Sequence, residues 1–220
     1  MDQPLTYSPD NEPYLGSEAL LCFDKNIPFC LWVSSHIAKY THNHRNELTD
    51  LQQAACIIIP QGVNLALSIR ELIRQGYLFA AYVLIRPLIE RAATISFLCN
   101  NPGEIVIWKD GWRFRKRPKL ADMLKSMAGK EANLEDVKSI CDHYNHIIHG
   151  DPQSADSNRI TVSEGIYGYS VGKVLNNPSL CDELAIQGLS YLQVLTGRAM
   201  KCFPEVKPPS EEEPDIGAKC

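Results

Sequence analysis

Between Tyr77 and Cys99 the chain reads YLFAAYVLIRPLIERAATISFLC, a helix-length stretch that is apolar nearly all round and is stopped by the breaker NNPG. A helix without a polar face has to be surrounded, so this segment predicts a central helix with the other elements packed around it. With 220 residues, 45% of them hydrophobic, the chain can bury one sizeable core, and a single domain is expected. Helical spacing predicts a helix from Pro28 to Asn46 through Leu31, Trp32, Ile37 and Ala38. A longer one follows through Leu51, Ala54, Ala55, Ile58, Leu65, Ile69, Leu72 and Ile73, with Pro60 placed to kink it. Asn133, with Asp136 three residues on, marks another helix start, and that helix closes at His149 before Gly150 and Pro152. In RITVSEGIYGYSV, alternating stretches flank Glu164-Gly165 as in a β-hairpin, and a last helix runs from Ser179 to Phe203 with Pro178 suited to its first turn. The expected fold is all-α, a helical bundle with a small β-hairpin insertion before the last helix.

Composition narrows the function classes. Residues 1–15 and the Pro-containing, acidic stretch 206–220 are expected to be a flexible arm and a disordered tail around a folded body at 16–205. A formal net charge of −4 gives no global attraction to nucleic acid, so any such binding must come from a local patch. The first residues lack the basic start and apolar run of a secretory signal, and the run YLFAAYVLI is well short of the roughly 20 residues of a membrane span. A soluble, cytoplasmic protein that does not associate with membranes is expected. The eight cysteines are scattered without a CxxC pair and read as reduced thiols. No Gly-rich phosphate loop, GxSxG elbow or catalytically spaced Cys/His pair appears, which weakens NTPase, hydrolase and protease readings, and no cofactor is expected.

Three constellations carry chemical potential. In CDHYNHIIHGDP, His143, His146 and His149 fan over the helix surface instead of stacking at i and i+4, so no metal site is expected. At the helix C-terminus His149 feels the negative end of the dipole, which favours its protonated form, and Asn145 one turn earlier can orient it. It is either an imidazole for moving protons or holding phosphate, or a cap bonded to backbone carbonyls. In YVLIRPLIERAA, Arg86 and Glu90 share one helix face with Phe79, Tyr82, Val83, Ala93 and Phe97, as a structural ion pair or the floor of a site, while Arg91 reads as a surface or helix-contact residue. In WKDGWRFRKRPK, Lys109, Arg113, Arg115, Lys116, Arg117 and Lys119 are interleaved with Trp108, Trp112 and Phe114. Basic groups hold phosphates and rings stack on bases, so the stretch is either an RNA or nucleotide contact or a solvated loop with its tryptophans turned into the core.

The order of these features, with LIRPLIERAATISFL, a break, a short helix, a helix ending YNHIIHGDP, a hairpin and a final helix, resembles a bacterial family of unassigned function whose members look HEPN-like. HEPN denotes higher eukaryotes and prokaryotes nucleotide-binding, an all-α bundle class, and the resemblance spans roughly residues 30 to 203. Many HEPN proteins are metal-independent ribonucleases or toxins of defence and toxin–antitoxin systems, acting as homodimers. Their motif is an arginine, a polar residue and a histidine. Asn145 and His149 match the last two, whereas the possible arginine positions hold Asp142, His143 and Tyr144. The missing arginine would stabilise the transition-state charge that the histidine serves by proton transfer. His143 from the same helix, or Arg86 oriented by Glu90 from the neighbouring one, would have to replace it. The resemblance therefore implies a binder of RNA or a nucleotide along Arg86, Glu90, Asn145 and His149, extended by the basic aromatic stretch and His143. Its alternatives are a ribonuclease using His149 with Arg86 and a non-catalytic scaffold for an antitoxin or other protein partner.

Overall fold

The computed structural model describes residues 6–113, 117–129, 133–149, 159–169 and 172–207. Its elements run α1 (Glu18–Asn43), α2 (Asp50–Arg74), α3 (Leu78–Asn100), α4 (Glu104–Lys109), α5 (Leu120–Ala128), α6 (Leu134–His149), β1 (Arg159–Ser163), β2 (Ile166–Tyr169) and α7 (Pro178–Cys202). The fold is an all-α bundle carrying one antiparallel hairpin, as the periodicities predict. Tight caps define where the helices begin. Thr49 and Gln52 form a reciprocal capping box at α2, Ser17 Oγ accepts from Leu20 N at 3.2 Å at α1, and Asn177 Oδ1 accepts from Leu180 N at 3.1 Å at α7.

α3 is central: α2, α5, α6 and α7 all pack on it, while α1 lies mainly on α7. Ile85, Leu88, Ile89 and Ile95 of α3 meet Ile69 and Ile73 of α2 and Leu184 and Leu195 of α7 in a fully buried core. α2 has the length and apolarity of a membrane span by composition, but its apolar face is covered by α3 and α7. The hairpin pairs Arg159 with Tyr169 and Thr161 with Tyr167, slips by one residue between Thr161 and Ser163, and turns at Gly165 with φ 74°.

Three expectations are corrected. α1 begins at Glu18, ten residues before Pro28, because Leu20 and Phe23 extend the buried stripe of Cys30 and Val33, and packing on α7 carries the helix through the proline. The segment read as a flexible arm is docked over residues 6–15: Tyr14 is buried with its hydroxyl donating to Val174 O at 2.5 Å, Tyr7 N donates to Gln75 Oε1 at 2.7 Å, and Glu12 is buried against Arg70. Finally, Trp108 and Lys109 belong to the short helix α4 instead of a loop. The acidic tail beyond residue 207 lies outside the described residues.

Candidate functional site

At its C-terminus α4 ends in a Schellman turn, with Gly111 N donating to Trp108 O at 2.9 Å and Trp112 N to Ile107 O at 3.0 Å. Gly111, at φ 83°, takes the left-handed conformation such a turn requires. Trp112 follows at φ 39°, a left-handed conformation that costs a residue with a side chain about 1–3 kcal/mol. This turn folds the Trp112 indole inward, where it is 9% exposed and meets Phe97 edge-on with ring centroids 6.4 Å apart. Its Nε1–H is buried and has no hydrogen-bond partner among the described residues.

Beside this turn, between α2, α3 and α4, lies a cleft of ≈ 680 Å³ lined by Ile57, Gln61, Arg91, Trp108, Trp112 and Arg117, with Thr94 in its wall. Arg91 Nε donates to Gln61 Oε1 at 2.8 Å, which fixes the guanidinium against α2 and leaves its other N–H groups available. Arg117, 53% exposed, approaches Glu90 Oε2 at 3.6 Å. The other oxygen of Glu90 accepts from Arg86 Nε at 3.2 Å, and Arg86 also donates to the Cys141 carbonyl of α6 at 3.4 Å. A line of alternating charge thus runs from the cleft across α3 to α6.

One turn back from Arg86, the buried Tyr82 hydroxyl hydrogen-bonds His143 Nε2, and Tyr82 and Tyr144 meet edge-on. Burial, and then the nearby Glu183 carboxylate, push the Tyr82 pKa well up. Burial does the same at Tyr144, followed by the influence of Tyr82 and Glu183. Both hydroxyls remain neutral hydrogen-bonding groups at physiological pH.

Arg86 and Glu90 come together as the sequence predicts. Asn145 is half-buried on α6, and His143 is spent on Tyr82. His149 is the last residue of α6, and its side chain lies outside the described residues, as do Arg115 and Lys116. From Cys141, where Arg86 is anchored, to the His149 backbone the helix rises about 12 Å. Lys109 turns away from the cleft to Asp50 and to Gln53 Oε1 at 2.9 Å, and Arg113 edges a separate hollow with Val106, Ile107 and Asp110. Among the described residues no three His, Cys, Asp or Glu side chains converge as metal ligands would. Gln61, Arg91 and Thr94 were missed as site residues. Their one signal in the sequence is that Arg91 and Thr94, i and i+3, are the polar interruptions of a central helix on a second face.

No family model, no curated protein and no solved structure matches this chain. The fold and the cleft define it as an all-α bundle with a hairpin and an arginine- and tryptophan-lined groove.

Proposed function

We propose that this protein is a helical module that binds RNA or a nucleotide, with the base against the indole of Trp108, Trp112 walling the cleft behind it, and the phosphate between Arg91 and Arg117. The observation that carries the reading is that two indoles and two guanidiniums line one cleft of ≈ 680 Å³. Stacking on an aromatic face is worth about 1–3 kcal/mol per base and guanidiniums are matched to phosphate oxygens, so together these groups suit a base and its phosphate. The chain's net charge of −4 makes such a local patch necessary. The HEPN-like assignment belongs to the same proposal and rests on the order of helices and on Asn145 and His149. Homodimer formation and a role in defence come only with that assignment. The ribonuclease alternative needs Arg86 beside His149. With Arg86 anchored at Cys141, two helical turns away, binding without cleavage is the better reading.

The test is quenching of tryptophan fluorescence by oligoadenylate and by AMP across a salt series, in EDTA, for the wild type, Trp108→Leu and Arg117→Gln. Saturable quenching is expected, weakened about tenfold or more in Trp108→Leu, with a salt slope smaller by about one in Arg117→Gln. Absence of quenching by both probes overturns the reading, and cleavage of the oligonucleotide that is lost in His149→Ala replaces it with the ribonuclease.

A further inference from the structure

Cys99 and Cys202, 103 residues apart in sequence, place their sulfurs 3.6 Å apart where the C-terminal turns of α3 and α7 meet. Among the described cysteines no other pair of thiols is in contact. Cys99 is half-buried and therefore reachable from solvent, whereas Cys202 is buried behind it. Arg198 and Lys201, near the C-terminal end of α7, bring positive charge to the pair. We propose that Cys99 and Cys202 are a peroxide-reactive dithiol that closes into a disulfide tying the end of α3 to the end of α7.

In the first step the Cys99 sulfur attacks one oxygen of hydrogen peroxide, the O–O bond breaks, and hydroxide leaves, to be protonated to water. Cys99 becomes a sulfenic acid. In the second step Cys202 gives up its proton and its sulfur attacks Cys99 Sγ, the S–O bond breaks, and a second water forms. Two thiols and one peroxide thus give one disulfide and two waters, the sulfurs losing two electrons and the peroxide gaining them. The sulfurs must close from 3.6 Å to about 2.05 Å, a movement within the reach of side-chain rotation. The roles are set by environment. The Cys99 pKa falls to about 7, first through its hydrogen bond with Cys202, which outweighs the burial that opposes ionisation, and then through the positive charges of Arg198 and Lys201. The contact with Cys99 and burial push the Cys202 pKa up, and peroxide reaches Cys99 first because it is the more exposed of the two. Cys99 is the attacking thiol and Cys202 the resolving one.

The experiment treats the full chain with stoichiometric hydrogen peroxide under native conditions, blocks residual thiols with N-ethylmaleimide, and maps peptides without reduction. A Cys99–Cys202 cross-linked peptide is expected, lighter than the two reduced peptides by two hydrogens. With it should come a Tm higher by about 5 °C that dithiothreitol reverses. Cys202→Ser should lose both and accumulate oxidised Cys99, and the wild-type peptide map decides the matter even if that variant folds poorly. Recovery of both residues as maleimide adducts, or oxidation of Cys99 beyond sulfenic acid with Cys202 still free, overturns the proposal.

Discussion

Arg70 donates to both carboxylate oxygens of Glu12 at 2.8 Å, joining α2 to a segment 58 residues earlier in the chain. The two side chains are only 4% and 7% exposed, and Asp24 of α1 completes the guanidinium's shell at 2.6 and 2.7 Å. Burial alone would lower the Arg70 pKa, but the hydrogen bonds of Asp24 and Glu12 outweigh it and hold the group above its ordinary value. Removing Glu12 strips two charge-assisted hydrogen bonds from a buried guanidinium and leaves Asp24, itself partly exposed, as its one anionic partner. Glu12→Ala should therefore lower stability by about 3 kcal/mol, read as a lower urea midpoint with an unchanged slope.

Arg86→Ala should be much milder, at about 1–2 kcal/mol. Glu90 is 27% exposed and keeps Arg117 as a partner, so it is not stranded when Arg86 goes. A loss above about 3 kcal/mol in the same urea titration would mean that the bond from Arg86 to the Cys141 carbonyl holds α6 in place.

Two glycines of α7 make opposite predictions. A Cβ on Gly188 would stand 2.7 Å from the ring of Phe23, which is fully buried and has nowhere to go, whereas a Cβ on Gly197 meets nothing within 4 Å. Gly188→Ala should cost about 1–3 kcal/mol by overpacking, and Gly197→Ala should add about 0.5–1 kcal/mol from helix propensity. Thermal unfolding of the two variants should bracket the wild type.

Alkaline pH should unfold the protein through its buried tyrosines. Burial raises the hydroxyl pKa of Tyr14 to about 12 and pushes Tyr82 and Tyr144 up as well, so each ionises more readily in the unfolded chain. The stability they contribute is fully present below about pH 10, the unfolded value. It is lost as pH climbs through the raised ones, at about 1.4 kcal/mol per pH unit for each tyrosine. Tyrosinate absorbance should rise in the same step as the loss of helical circular dichroism. Gradual ionisation of all nine tyrosines in a folded protein would contradict this.

The central helix and the hairpin were legible because each rests on local chemistry: an all-round apolar helix bounded by NNPG, and alternation around Glu164-Gly165. Asn133 was legible as a cap for the same reason, and its side chain accepts from Glu135 N at 3.0 Å. What stayed hidden is set by distant partners. The segment around Glu12 reads as a polar arm until Arg70 and Asp24 are brought to it, and Cys99 gives no sign of Cys202 before α3 and α7 are packed. The candidate site shows both behaviours. Arg86 and Glu90 share a helix face by spacing alone, but the cleft joins Gln61, Arg91 and Trp108 across three helices, a convergence that no periodicity contains.

The docked N-terminal segment bears on how the chain is made. Tyr14 finds its acceptor at Val174, Ser17 donates to Asp182, and α1 rests mainly on α7, so segments 160 residues or more apart in the order of synthesis are matched to each other. At about 5–20 residues per second, roughly 10–30 s of translation separate the two halves of this clasp. Throughout that interval Leu20, Phe23 and Val33 lack the α7 surface that buries them, and the nascent chain presents an unpaired apolar helix to whatever waits at the ribosome exit.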